Sequence, residues 1–505
     1  MADISFQEYP EKPVVVANLS VLFMKQSRFV PLHLDGDTLR IAMADPGDFY
    51  TVDTLKLACG LNIEVCRGRE EDILAAIEKL YGTGSQSLEM IIEEAGKDTD
   101  DISSDGVVDA DHLRDLASEA PIIRLVNRLI LNAVEVRASD IHFEPFENEF
   151  KVRYRIDGIL HNVESPPSRL QDAIISRVKI MAKMDIAERR LPRDGRIKLK
   201  VLDREIDFRV STLPTIHGES LVMRILDRDA LILDLEKLGL PEDLLPEYIE
   251  LITKPYGMIL VTGPTGSGKT TTLYTTLAKI NSPETKIITL EEPVEYQLRG
   301  VNQIQVNTKI GMTFANGLRS IVRQDPDVIL VGEIRDRETA EVAIQSALTG
   351  HLLFSTLHTN DAAGAITRLL DIGVENFLLS STLLGILAQR LVRVICPHCK
   401  ERIEPEGKLL KAMNLSPDKI RGIQFFAGKG CEECNHTGFK GRIGIFEYLP
   451  VDDDIRKEIT ARSSTERIKD VAHNKGLVTL RQDGWDKVEK GITTVSEVLR
   501  VTLEK

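Results

Sequence analysis

Gly263-Pro-Thr-Gly-Ser-Gly268-Lys269-Thr270 follows the apolar run Met258-Ile-Leu-Val-Thr262 and precedes Thr271-Thr-Leu-Tyr-Thr-Thr-Leu-Ala-Lys279. The octapeptide meets every fixed position of the G-x-x-x-x-G-K-[ST] loop, and its flanks read as a buried strand and a helix. A strand feeding a glycine-rich turn into a helix N-terminus surrounds a polyphosphate with backbone N–H groups. The helix dipole adds positive potential. The cradle comprises Gly263, Pro264, Thr265, Gly266, Ser267, Gly268, Lys269, Thr270 and Thr271. Lys269 is expected to reach the β- and γ-phosphates, and the Thr270 hydroxyl to ligate Mg²⁺. A chance Gly/Ser turn would lack the strand and helix on either side.

Around this loop the chain reads as an α/β multidomain protein. Its 505 residues leave room for roughly three or four domains. Residues 1–82 form a small α/β module: Leu39, Ile41 and Met43 alternate as a strand, Asp45-Pro-Gly-Asp48 turns, and Glu70–Tyr81 has helical spacing. The module carries no catalytic set and reads as a docking unit, with Cys59 and Cys66 expected as buried thiols. Residues 83–119 hold Glu93, Glu94, Asp98, Asp100, Asp101, Asp105, Asp109, Asp111 and Asp115 against Lys97 and Arg114. That composition suits a solvated linker, with an acidic binding tail as the alternative. A second N-terminal α/β domain is placed at 120–230. A nucleotide-binding domain is placed at 240–395, a cysteine segment at 396–445 and a helical C-terminal segment at 446–505.

The bulk properties exclude some functions. A net charge of −14 and 5% aromatic residues argue against a nucleic-acid surface, since base stacking and phosphate contacts need the opposite balance. No apolar run approaches the ~18–20 residues needed to span a bilayer. The acidic start, Met1-Ala-Asp-Ile-Ser-Phe-Gln-Glu8, resembles no signal peptide. A cytoplasmic protein that meets the inner membrane only through a partner is expected.

Hydrolysis of a phosphoanhydride needs Mg²⁺, a carboxylate to orient water, and positive charge on the γ-phosphate in the transition state. Val328-Ile-Leu-Val-Gly-Glu333 has the form of a Walker B strand, and Glu333 would meet Mg²⁺ through water. Thr289-Leu-Glu-Glu-Pro-Val-Glu295 runs a second apolar strand into three carboxylates, at the strand end where open α/β sheets place ligands. Any of Glu291, Glu292 and Glu295 could act on the attacking water, and Glu295 is favoured. His351 and His358 bracket another buried-looking strand, Leu352-Leu-Phe-Ser-Thr-Leu357. Imidazoles there would serve as sensors of the γ-phosphate or metal, or as ordinary structural groups.

Cys396-Pro-His-Cys399 and Cys431-Glu-Glu-Cys434 are paired C-x-x-C knuckles able to place four thiolates around Zn²⁺. The spacer between them is longer than in ordinary zinc ribbons, so an inserted lobe is expected. Uncoordinated thiols are the alternative. His398 and His436 lie close enough in sequence to substitute as ligands but are not needed.

The P-loop, the Glu291–Glu295 cluster, Gln324-Asp-Pro-Asp-Val-Ile-Leu-Val-Gly-Glu333-Ile-Arg-Asp336 and Thr349-Gly-His351…His358-Thr359 together resemble the four boxes of the secretion ATPase superfamily. Further upstream, Ala138-Ser-Asp-Ile-His-Phe-Glu-Pro145, Arg153-Tyr-Arg-Ile-Asp-Gly158, Leu191-Pro-Arg-Asp-Gly-Arg196 and His217-Gly-Glu-Ser-Leu-Val-Met-Arg-Ile-Leu226 match as well. The resemblance covers roughly 115–500 and is closest to the type II secretion branch. One departure is Glu292, where the family usually has Asp.

The resemblance implies a homohexamer in which residues 240–395 are a RecA-like ATPase domain and a PAS-like second domain lends Arg209 and Arg224 to the γ-phosphate. It also implies a structural zinc at the four cysteines. Residues 1–82 would dock on the cytoplasmic domain of an inner-membrane platform protein, and the motor would act on a polytopic platform partner. A pilus-extension ATPase is the near alternative. A RecA-type DNA translocase and a non-hydrolysing scaffold are more distant ones. The N-terminal segment lacks the Arg-Leu-Gly-type start of the cyclic-di-GMP-binding relatives, so that ligand is not expected.

Overall fold

The computed structural model describes residues 27–36, 38–81, 116–118, 120–163, 165–202, 204–227, 234–404, 407–413, 420 and 422–503, with 9, 10, 14, 23 and 24. The acidic linker lies almost wholly outside the described residues. The chain divides into two compact units. One holds 1–155, 160–197 and 208–225, and the other holds 156–159, 198–207 and 226–505. Among the described residues, no helix is long and apolar enough to cross a membrane.

In the first unit, β1 (Phe29–Asp35) pairs antiparallel with β2 (Thr38–Met43). Helix α1 (Phe49–Cys59) then crosses to β3 (Asn62–Arg67), which runs parallel to β2. Helix α2 (Glu70–Tyr81) completes the module. Alternation puts Leu39 and Ile41 inward with Phe29, Val30, Leu55, Ile73 and Ile77, giving this module a core of its own. Asp48 caps α1 by accepting from Thr51 N at 3.1 Å. Cys66 is buried but Cys59 is only half-buried, so just one of the two expected buried thiols is enclosed.

The same unit contains α3 (Ala120–Glu135), whose Ile122, Leu125, Val126, Leu129, Ile130 and Ala133 recur at helical spacing and are all buried. A six-stranded sheet follows in the order β6-β5-β4-β9-β8-β7. Its strands are β4 (Asp140–Pro145), β5 (Phe150–Ile156), β6 (Ile159–Asn162), β7 (Arg193–Val201), β8 (Arg204–Thr215) and β9 (Gly218–Asp227), with α4 (Gln171–Met181) between β6 and β7. Strand β7, with Arg193, Asp194, Arg196, Lys198 and Lys200, carries too many charged residues to be read as a strand from sequence, whereas β9 alternates and buries Glu219, Leu221 and Met223.

The second unit is built on a seven-stranded sheet, β12-β11-β13-β14-β10-β15-β18. Helix α5 (Leu244–Ile252) leads into β10 (Gly257–Thr262), and α6 (Lys269–Ile280) follows the P-loop. Next come β11 (Ile287–Glu291), β12 (Val301–Gln305), α7 (Phe314–Ile321), β13 (Val328–Val331), α8 (Arg337–Leu348), β14 (Leu352–Leu357), α9 (Ala362–Asp371), α10 (Asn376–Thr382) and β15 (Leu383–Ile395). Strands β10, β11, β13 and β14 are fully buried and largely apolar, interrupted by Thr289, Ser355 and Thr356, because both faces are covered. Met258 and Leu260 pack into one core, and Ile259 and Val261 into the core on the other face.

The C-terminal third departs from the expected boundaries. Strand β18 (Phe439–Pro450) pairs antiparallel with β15, from Gly385↔Pro450 to Ile395↔Phe439, and closes the ATPase sheet. The sheet therefore does not end near 395. The cysteine segment is an insertion inside a β15–β18 hairpin, carrying β16 (Lys400–Ile403), α11 (Gly407–Ala412) and β17 (Phe425–Gly428). Helices α12 (Asp453–Thr460), α13 (Thr465–Asn474), α14 (Leu480–Glu489) and α15 (Val495–Thr502) are no appended tail. Their Ile455, Ile459, Ile468, Trp485, Val488, Val498 and Leu499 share one core with the sheet.

Candidate active site

The P-loop has the backbone a polyphosphate cradle requires. Gly263 and Gly268 have φ of 151° and 90°, which side chains rarely adopt, and both stand against Gln389 of β15. A Cβ would lie 2.4 Å from the Gln389 carbonyl at Gly263 and 2.8 Å from its Nε2 at Gly268, so no larger residue fits. Gln389 Oε1 also accepts from Thr272 Oγ1 at 2.7 Å, tying the loop's helix to the neighbouring strand. No side chain caps α6 at Gly268, which leaves its first N–H groups for a ligand. Ser267 Oγ is buried without a hydrogen-bond partner. An orphaned hydroxyl, uncapped amides and an inward lysine together fit phosphate oxygens.

Lys269 Nζ donates to the loop's own carbonyls, Gly263 O at 2.6 Å and Pro264 O at 3.1 Å. Burial pushes its pKa down to about 8, and the nearby Glu333 carboxylate opposes that shift. Thr270 is exposed beside it, open to a metal.

Parallel pairing brings the other acids to the same end of the sheet. Thr262 of β10 is in register with Leu357 of β14, and Val331 of β13 with Ser355, so Glu333 and His358 both emerge beside the loop. His358 Nε2 lies 3.2 Å from Glu333 Oε2, and Arg335 also pairs with Glu333. Arg335 reaches Glu292 at 3.4 Å as well, so one guanidinium links the two acidic segments. Thr262 Oγ1 and Thr359 Oγ1 share a hydrogen bond at 2.7 Å, joining the P-loop strand to the turn after His358.

The three carboxylates after β11 have different surroundings. Glu291 is buried, and both its oxygens are engaged. Tyr274 O–H donates to Oε2 at 2.5 Å, while Thr289 Oγ1 (2.6 Å) and Gln303 Nε2 (3.2 Å) donate to Oε1. Glu292 is exposed and faces Arg335. Glu295 is half-buried, and its backbone N–H donates to Tyr274 Oη at 3.3 Å.

His351 stands apart. It precedes Leu352, which pairs with Gly257 at the amino end of β10, so the six-residue strand β14 separates it from His358 by roughly 20 Å. Its Nδ1 faces Ser346 O at 2.9 Å and Thr349 Oγ1 at 3.3 Å. The two histidines flank one strand in sequence, but the strand's length puts them at opposite edges of the sheet. His351 thus lies at the end of α8, away from the P-loop of its own chain.

Arg209 and Arg224 belong to the first unit and the P-loop to the second. Arg209 lies on β8 between the buried Phe208 and Val210, so it projects from the opposite face. Arg224 Nε is held by Asp140 Oδ1 at 3.0 Å, across the β4–β9 pair.

The four cysteines converge. All ligand-capable sulfurs lie within 4.8 Å of one another, with Cys396–Cys431 at 3.9 Å, Cys399–Cys434 at 3.8 Å and Cys431–Cys434 at 3.7 Å. A tetrahedron of ~2.3 Å metal–sulfur bonds has edges of about 3.8 Å. Backbone N–H groups of Gly430, Cys431 and Gly438 point at Cys399 or Cys434 sulfur at 3.2–3.3 Å. Such donors stabilise thiolates over thiols.

Sequence reading missed Arg335, Tyr274, Gln389 and Thr359. Arg335 had a signal, being two residues past Glu333. Gln389 had none, because its place beside the loop depends on β15 entering the sheet next to β10.

A parallel sheet with a P-loop at one strand end, and a carboxylate, a histidine and an arginine converging beside it, defines a RecA-like nucleoside-triphosphate hydrolase. The family model described as type II/IV secretion system protein matches residues 115–500, and the MshEN domain model matches 3–87. The chain belongs to the type II/IV secretion system protein family, and it is an ATP-hydrolysing enzyme of the type II secretion branch. It is similar to type II secretion system protein E of Xanthomonas campestris pv. campestris, 52% identical over 98% of this chain and 86% of that protein. The type IV pilus assembly ATPase PilB of Myxococcus xanthus is 45% identical over 98% of this chain and 88% of that protein. Among solved structures, the pilus retraction motor PilT with bound ADP aligns with a TM-score of 0.50 and 28% identity, covering 74% of this chain and 96% of that one.

Proposed function

We propose that the chain is a hexameric motor in which ATP hydrolysis drives pseudopilus assembly and protein export at an inner-membrane secretion platform. The observation that carries this reading is the convergence of Lys269, Glu333 and His358 at one strand end within a chain that matches the secretion ATPase family over 115–500. Lys269 and the α6 amides would bind the triphosphate. Thr270, directly, and Glu333, through water, would hold Mg²⁺, which neutralises phosphate charge when bound. Glu295 would take the proton of the attacking water, since Glu291 is engaged by three donors and Glu292 by Arg335. His358 would report the state of Glu333 and the γ-phosphate. Arg209 and Arg224 would reach a γ-phosphate as arginine fingers, Arg224 being held at its Nε by Asp140.

Cys396, Cys399, Cys431 and Cys434 would hold Zn²⁺ as a closed structural site. The full-length protein is expected to carry about one zinc per chain, and Cys431→Ser to lose it together with a lowered melting temperature. Elemental analysis and a thermal melt check this, and metal-free protein with an unchanged melt would count against it.

Residues 1–82 would dock on the cytoplasmic domain of a membrane partner, consistent with a module that has its own core and no catalytic groups. The test is affinity capture from native cells with this segment as bait. Recovery of a single-span inner-membrane secretion platform protein supports the type II reading. Recovery of pilus platform components moves the motor to pilus extension, the second reading that the 45% identical PilB relative supports.

A further inference from the structure

Tyr274 is fully buried one helical turn beyond the P-loop, on the face of α6 that packs against β11. A tyrosine hydroxyl in an apolar core requires partners, and this one joins two parts of the site. It donates to Glu291 Oε2 at 2.5 Å and accepts the backbone N–H of Glu295 at 3.3 Å. Gln303 on β12 supports the same junction, donating to Glu291 Oε1 at 3.2 Å and to Tyr296 O at 3.0 Å. The Tyr274 and Tyr296 rings pack edge to face with centroids 6.4 Å apart. Burial and the adjacent Glu291 carboxylate push the Tyr274 pKa well above its ordinary value, so the hydroxyl keeps its proton and remains a donor.

We infer that Tyr274 and Glu291 are positioning residues that fix the Glu292–Glu295 turn to the P-loop helix and so set the place of the Glu295 carboxylate relative to the γ-phosphate. The inference rests on the proposed role of Glu295 as base. The reason is geometric. The helix that begins at Lys269 carries the phosphate cradle, and the turn carrying the base follows a different strand. Between them run Tyr274 O–H to Glu291 and Glu295 N–H to Tyr274, two hydrogen bonds meeting at one oxygen. A carboxylate acceptor makes a shorter, stronger bond to a phenol than a neutral one does. Misplacing a base by about 1 Å is enough to cost on the order of 10²-fold in rate.

The test uses full-length protein, single-turnover hydrolysis of radiolabelled ATP, and equilibrium binding of a fluorescent ATP analogue. Tyr274→Phe keeps the ring packing and removes the hydroxyl. It is expected to slow hydrolysis by ~10–10²-fold and to leave analogue binding within about twofold, because the cradle itself does not involve Tyr274. Glu291→Gln keeps an oxygen for Tyr274 but loses the charge. It should fall between the wild type and Tyr274→Phe, and it serves as the second probe if the phenylalanine variant folds poorly. The decisive comparison is the double variant Tyr274→Phe/Glu295→Gln, expected to be no slower than Glu295→Gln alone, because a residue acting through Glu295 has nothing left to position. A wild-type rate for Tyr274→Phe beside a crippled Glu295→Gln overturns the positioning role and leaves the assignment of the base intact. Multiplying effects in the double variant overturn it too, since Tyr274 would then act independently. A near-normal rate for Glu295→Gln overturns the base assignment and the inference with it.

Discussion

Lys269→Ala is expected to abolish measurable ATP hydrolysis, lowering kcat by at least ~10²–10³-fold, the usual loss for one charge-stabilising donor, and weakening ATP binding at the same time. The amine sits 2.6 Å from Gly263 O, already folded over the loop that would hold the β- and γ-phosphates. No other lysine lies in the loop to replace it. Folding should survive, because burial lowers the Lys269 pKa and the native state holds the ammonium at some cost that alanine removes. Glu333→Gln makes the complementary case. The Walker B carboxylate is lost while Lys269 and the amides remain, so ATP should bind without being turned over. Phosphate release under single-turnover conditions, paired with nucleotide binding and a melting curve, reads all three quantities. Near-normal turnover by either variant would remove the site assignment.

Arg209→Ala is expected to reduce hydrolysis by ~10³–10⁵-fold, the range for a supplied arginine in phosphoryl transfer, with its own P-loop still binding ATP. Arg224→Ala would also strip the buried Asp140 of its 3.0 Å partner, leaving Ser139 Oγ at 2.8 Å and Arg155 at 3.8 Å, and would confuse lost catalysis with lost stability. If the arginine serves a neighbouring subunit, mixing Arg209→Ala with Lys269→Ala restores activity. In a mixed ring an intact P-loop can then face an intact arginine. Rates after subunit exchange that exceed the sum of the two separate preparations support shared sites, and strictly additive rates count against them.

Much of the site was legible because its signals are local. The P-loop is eight consecutive residues, and the strands before Glu291 and Glu333 are largely apolar, since parallel strands are covered on both faces. The two C-x-x-C pairs announced a four-thiol cluster, and the sulfurs do converge. Boundaries within the C-terminal third were misread because β15 and β18 pair across an insertion. A β-hairpin whose loop is a whole lobe has no turn signature to betray it. Strand β7 was missed because charged residues dominate it; β9 was missed although it alternates.

The histidines separate the two kinds of information most clearly. Local sequence was enough to say that a nucleotide binds, that magnesium-competent groups follow, and that a buried strand runs from residue 352 to 357. It could not say which end of that strand faces the loop, since this follows from pairing Thr262 with Leu357 and Gly257 with Leu352. Register admits His358 and leaves His351 at the far edge. The same holds for the acids after β11, three similar carboxylates in the sequence. Burial against Tyr274, Thr289 and Gln303 engages Glu291, and Arg335 takes Glu292. The sequence by itself determined which chemical groups the protein has. Tertiary structure decided which of them lie beside the P-loop, because strand register and burial depend on partners distant in the chain.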